Sequence, residues 1–169
     1  LKNISGKNLV LIGFMGTGKT EVGRLLAESL NRRLIDTDQV IVEREGQSVK
    51  DIFASSGETY FRQKEQELIQ ELSVRKGLVI ATGGGIVLNT ENVNLLRESG
   101  YVVWLDADGD TLADRLSGDT ERPLLAGGAD LAALYREREA LYREAAHVRV
   151  DTTEKAPLVV VSEIIRVIS

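Results

Sequence analysis

Directly after the apolar run Leu9-Val10-Leu11-Ile12 stands Gly13-Phe14-Met15-Gly16-Thr17-Gly18-Lys19-Thr20, which fits G-x-x-x-x-G-K-[ST] between a strand and an amphipathic helix. Glycines at these positions admit positive φ and carry no side chain, so the N–H groups around Gly16, Thr17 and Gly18 can converge on phosphate oxygens. A helix opening at Lys19 adds its positive dipole end to that nest. Lys19 is expected to reach the β- and γ-phosphates of a bound nucleotide, and Thr20 to offer its hydroxyl to Mg²⁺. One helix later comes Asp36-Thr37-Asp38. In a tight turn both carboxylates can face the strand ends, one holding Mg²⁺ through water and the other accepting a hydrogen bond from an acceptor hydroxyl. The plainer alternative is an N-cap for the helix that follows. Gly83-Gly84-Gly85 follows the third apolar run and is read either as a close approach of ligand to backbone or as a flexible turn.

Arginines stand out against an acidic chain: Arg115, Arg122, Arg136, Arg138, Arg143 and Arg149. The stretch from Ser117 to Asp130 contains Arg122-Pro123-Leu124-Leu125, is rich in Gly, Asp and Ala, and has the composition of a mobile flap. An arginine delivered by such a lid can stabilise a transferring phosphoryl group and exclude water. Any one arginine taken blind is more ordinarily an exposed ion-pair partner. A GTPase would need Asn-Lys-x-Asp, which is missing; Asp106-Ala107-Asp108-Gly109 fits the loose Asp-x-x-Gly pattern but reads better as a polar turn from strand to helix. No hydrophobic run ends in a paired Asp-Glu of the ATPase-motor kind. A small kinase is the remaining class.

These groups must be held by a frame, and the frame is legible. Short β-branched runs (Leu9–Ile12, Arg33–Ile35, Leu78–Ala81, Tyr101–Leu105, Val148–Val150) alternate with helical patterns at Lys19–Leu30, from Ser48 to Gly57, at Tyr60–Val74, Thr90–Ser99 and Leu131–Ala146, and from near Pro157. Continuously apolar strands are buried on both faces of a parallel sheet, so the expectation is an α/β fold, a three-layer α/β/α sandwich, with ligands beyond the carboxyl ends of the strands. The 169 residues predict a single domain, 1–169. A net charge of −5 speaks against nucleic acid as partner. The lack of cysteine removes disulfides and thiolate metal sites, and one histidine (His147, read as structural or solvent-facing) makes a His-based metal cage improbable. With no bilayer-length apolar run and no signal-peptide core, a soluble, cytoplasmic protein is expected.

Together the motifs resemble the shikimate kinase family, P-loop enzymes of aromatic amino-acid biosynthesis, over essentially the whole chain. The resemblance is carried by Gly13 to Thr20, Asp36-Thr37-Asp38, Gly57-Glu58-Thr59-Tyr60-Phe61-Arg62, the triple glycine, Arg122-Pro123-Leu124-Leu125, and Arg138 four residues before Tyr142. It implies a five-stranded parallel sheet of order 2-3-1-4-5, a mobile lid at about 117–130, a shikimate-binding helical segment at about 38–66, and a monomer. It implies transfer of the γ-phosphoryl of ATP to the 3-hydroxyl of shikimate, with Lys19, Asp38 and Arg122 catalytic. ATP would be held by Gly16, Thr17, Gly18, Lys19, Thr20, Arg115, Arg122, Lys155 and Pro157. Shikimate would be held by Asp38, Arg62, Gly84, Gly85 and Arg138, and one Mg²⁺ by Thr20 directly with Asp36 on the same side. Lys155, where the family often has arginine, departs from the pattern. The rivals are a kinase for another small hydroxy acid such as gluconate, and a nucleotide-binding regulatory module without chemistry. All of this requires the phosphate loop and the acceptor pocket to open on the same sheet edge.

Overall fold

The structure, a computed structural model, describes residues 4–117 and 130–169. Five parallel strands, β1 (Asn8–Ile12), β2 (Arg33–Asp36), β3 (Leu78–Ala81), β4 (Gly100–Asp106) and β5 (Val148–Asp151), form one sheet of order β2-β3-β1-β4-β5. This is the expected order, and β1 lies at its centre with Leu9 beside Val79 on β3 and Tyr101 on β4. Side chains alternate across a strand, and both faces of this sheet are covered. Val10 and Ile12 point into one core with Ile80, Val102 and Trp104, while Leu9 and Leu11 point into the other with Val79, Val103 and Leu105.

Two helices, α1 (Lys19–Leu30) and α8 (Pro157–Ile168), cover the second face through Val22, Leu26, Val160, Val161 and Ile164. Pro157 begins α8 at a position where its missing N–H costs nothing. The opposite layer holds α2 (Thr37–Glu45), α3 (Val49–Ser56), α4 (Glu58–Ser73), α5 (Thr90–Ser99), α6 (Gly109–Leu116) and α7 (Leu131–Ala145), with a 3₁₀ turn at Ile86–Leu88. Asp36, Ser48, Asn89, Asp108 and Asp130 cap α2, α3, α5, α6 and α7 through their side-chain oxygens. The sequence announced α2 and α6 only through the turns before them and gave them no bounds, because each is short and carries only two or so core-facing residues. Asp108 capping α6 makes Asp106–Gly109 the polar turn expected of it.

Buried polar groups outside the strand-end cleft are structural. Asn8 Nδ2 donates to the carbonyl of Arg75 at 2.9 Å and its Oδ1 accepts from the Leu78 N–H at 3.0 Å, tying β1 to the start of β3. His147 is exposed, yet its Nδ1 accepts from the Val102 N–H at 2.9 Å and its ring stacks on Tyr101, so it is both solvent-facing and structural. Among the described residues no helix is long and apolar enough to cross a membrane.

Candidate active site

The chain leaves β1 and turns at Gly13, where the carbonyl of Leu105 on β4 lies so close that any Cβ would collide with it. Phe14 and Met15 then plunge into the core, which fixes the loop from below. Gly16 and Gly18 adopt φ of +83° and +87°, conformations that L side chains rarely take. Gly18 ends the loop and opens α1 without a side-chain cap, so no capping side chain satisfies the first helical N–H groups. Thr17 is turned inward: its hydroxyl donates to the Phe14 carbonyl at 2.9 Å and locks the loop. Lys19 arches back over the loop, its Nζ donating to the carbonyls of Gly13 (2.7 Å) and Phe14 (2.9 Å).

At the end of β2, Asp36 takes the N-cap role and also meets Thr20. Its Oδ1 accepts from the Gln39 N–H at 3.1 Å and caps α2, while its Oδ2 accepts from the Thr20 hydroxyl at 2.8 Å. Asp38, in the first turn of α2, lies against Gly83, where a Cβ would come within 2.6 Å of Asp38 Oδ1. The Gly83 N–H donates to the buried Thr37 hydroxyl at 3.1 Å. Gly16, Gly18, Lys19, Thr20, Asp36, Asp38, Gly83 and Gly84 all line one cavity of about 550 Å³. The phosphate loop and the acidic turn therefore open into the same space.

Gly83 and Gly84 line that cavity, and two arginines lie against Gly84 and Gly85. Arg62 on α4 presses on Gly85 so tightly that a Cβ there would overlap its guanidinium; Arg138 on α7 comes within 3.6 Å of where a Gly84 Cβ would stand. Arg138 is buried, only 3% exposed. The Tyr142 hydroxyl, one helical turn on, donates to the Gly84 carbonyl. Burial pushes the Tyr142 phenol up to about 12, with Arg138 pulling the other way, so it stays a donor.

Sequence reading missed Glu65. It is 1% exposed, accepts from Arg62 Nη1 at 3.1 Å, and its Oε2 is buried without a hydrogen-bond partner among the described residues. Burial pushes its carboxyl up to about 7, Arg62 and Arg138 opposing and Asp38 reinforcing the rise. Glu58 holds Arg62 from the other side at 3.2 Å. The signal was present: Phe61, Glu65, Leu68, Ile69 and Leu72 share the core face of α4, and an acid on such a stripe demands a partner.

Residues expected near adenine stand at the far flank. Arg115 donates to the Gly16 carbonyl at 3.1 Å and to the Thr152 hydroxyl and carbonyl, bracing the loop. Lys155 pairs with Glu163 at 3.0 Å, and Pro157 is exposed at the start of α8. Arg122 and the interior of the expected lid lie outside the described residues; Ser117 closes α6 and Asp130 caps α7. Arg143 pairs with Glu139 on the surface, the ordinary fate of an arginine.

Residues 15–169 match the family model described as shikimate kinase. The chain is 44% identical over 160 residues to a shikimate kinase of Sulfurihydrogenibium sp., covering 94% of this chain and 96% of that one. It is 48% identical over 162 residues to a shikimate kinase of Symbiobacterium thermophilum, covering 93% of each. A solved shikimate kinase of Acinetobacter baumannii, in complex with shikimate, superposes with a TM-score of 0.92 at 37% identity, covering 98% of this chain and 94% of that one.

Proposed function

Because this chain belongs to the shikimate kinase family and its activity is the ATP-dependent phosphorylation of shikimate in aromatic amino-acid biosynthesis, we propose that the strand-end cavity is where the γ-phosphoryl passes in line to the 3-hydroxyl. The observation that carries this reading is the sharing of one cavity by Lys19 and Asp38, with Gly83 and Gly84 in its wall. Positioning and electrostatics do most of the work in such a transfer. The uncapped N–H groups at the start of α1 cradle the phosphates, and Lys19 exchanges its two loop carbonyls for phosphate oxygens. Asp38 orients the hydroxyl and takes its proton late. Arg62 beside Gly85 and Arg138 beside Gly84 hold the acceptor carboxylate, a job for planar guanidinium groups. Arg122 is assigned to the transferring phosphoryl on its motif alone.

Thr20 and Asp36 suit Mg²⁺. They place two hard oxygen donors 2.8 Å apart on the cavity wall, and no described cluster of three His, Cys, Asp or Glu could form a protein cage for a metal. A site of that kind fits an ion that keeps waters and substrate phosphates as its other ligands. When bound, Mg²⁺ neutralises charge on the phosphates. The test is ADP release with Mg-ATP and a panel of hydroxy acids: turnover confined to shikimate supports the assignment, and equal turnover of gluconate overturns the acceptor pocket.

A further inference from the structure

Asp106 ends β4 one residue beyond the carbonyl on which Gly13 rests, so it lies directly under the phosphate loop. Its carboxylate is only 2% exposed, a costly position unless its oxygens are satisfied. They are. Oδ1 accepts from the Tyr135 hydroxyl at 2.8 Å, and Oδ2 accepts from Arg149 Nε at 2.8 Å and pairs with Nη2 at 2.7 Å. The Asp106 carbonyl accepts from the Thr152 N–H at 2.7 Å and hydroxyl at 2.9 Å. Thr152 in turn receives Arg115, which reaches Gly16 of the loop. The Tyr135 ring meets the Phe14 ring edge-on, centroids 5.6 Å apart and planes at 86°.

Tyr135, Arg138 and Tyr142 are spaced by three and four residues, so they form one stripe of α7, and the last two lie against Gly84. Tyr135 is thus the anchor one turn, roughly 5 Å, before the arginine assigned to the acceptor. Ring packing alone lets a helix slide or rotate slightly, whereas a hydrogen bond to a buried carboxylate admits one register.

We propose that Asp106 and Tyr135 are positioning residues for the transfer: their hydrogen bond sets α7, and with it Arg138, at a fixed distance from the phosphate loop. The inference rests on Arg138 holding the acceptor, as given under Proposed function. Its test is Tyr135→Phe, which keeps the ring on Phe14 and deletes only the hydroxyl. The expected result is a rise of about tenfold in both the KM and the equilibrium dissociation constant for shikimate, because Arg138 is no longer held at its productive distance. KM for ATP should move less than about threefold. In an Asp106→Asn background, removing the Tyr135 hydroxyl should cost much less than in the wild type. A purely structural role would lower the thermal midpoint and leave the ratio of the two KM values in place, and that result overturns the proposal. So does an unchanged shikimate affinity in Tyr135→Phe, which carries the test even where Asp106→Asn fails to fold. Wild-type protein that binds shikimate but releases no ADP would refute the proposed transfer, while the binding comparison would still decide the role of Tyr135.

Discussion

Glu65→Gln converts the buried acid of the acceptor pocket into a neutral isostere, and its consequences can be worked from the fold. Burial lifts the folded carboxyl to about 7 from an ordinary 4.5, against the pull of Arg62 and Arg138. An acid whose folded value is raised binds its proton more tightly in the native state. Its contribution to stability is therefore full below the unfolded value and is lost as pH rises through about 7. Between about pH 5 and pH 8 the displacement is worth about 2 to 3 kcal/mol. For a chain of this size that is roughly 5 to 10 °C in thermal midpoint. Thermal unfolding of wild type and Glu65→Gln across this range should give similar midpoints at the acid end, with the variant gaining on the wild type toward the alkaline end. A second carboxylate arriving on Arg62 and Arg138 would favour the protonated acid further. Shikimate affinity of the wild type should therefore fall above about pH 7, and that of the variant should stay flatter. Parallel unfolding curves for the two proteins would refute the reasoning outright.

Three further outcomes follow from the same geometry. Asp38→Asn should leave the dissociation constant for Mg-ATP nearly unchanged while lowering kcat by about 10² to 10⁴ in a coupled ADP assay. Arg62→Ala should raise KM for shikimate by about a hundredfold with a much smaller effect on KM for ATP, since it removes charge-assisted bonds to a carboxylate. Gly85→Ala forces a methyl into the Arg62 guanidinium. Because the flexible end of a side chain can yield, the thermal midpoint should drop little while KM for shikimate rises by about ten- to a hundredfold, a misplaced group rather than a broken fold.

The parts of this molecule that could be read from its residues are those whose causes are local. Lys19–Leu30 begins and ends where its amphipathic pattern does, and Asn31 at φ +50° supplies the left-handed stop. Strand order was implied by the family resemblance and agrees with the observed sheet. What escaped was pairing at a distance. Nothing near Lys155 announces Glu163, and nothing near Arg115 announces Thr152 or Gly16. Asp106 looked like one end of a polar turn; its burial depends on Tyr135 and Arg149, 29 and 43 residues away. Tyr142 stacks on Trp104, and nothing in its local sequence tells that its hydroxyl also holds the Gly84 carbonyl. Glu65 alone could have been found, by noticing an acid on an otherwise apolar helix face.

The ammonium of Lys19 resting on the carbonyls of Gly13 and Phe14 has a consequence for how the loop meets its ligand. The two contacts tie the side chain to the loop, so phosphate oxygens meet an ammonium that the fold itself positions instead of capturing a long side chain from solvent. Capture from solvent would freeze several rotatable bonds at the moment of association. Here that freezing happens during folding, and a substitution that shortens this side chain should loosen the loop itself as well as weaken its grip.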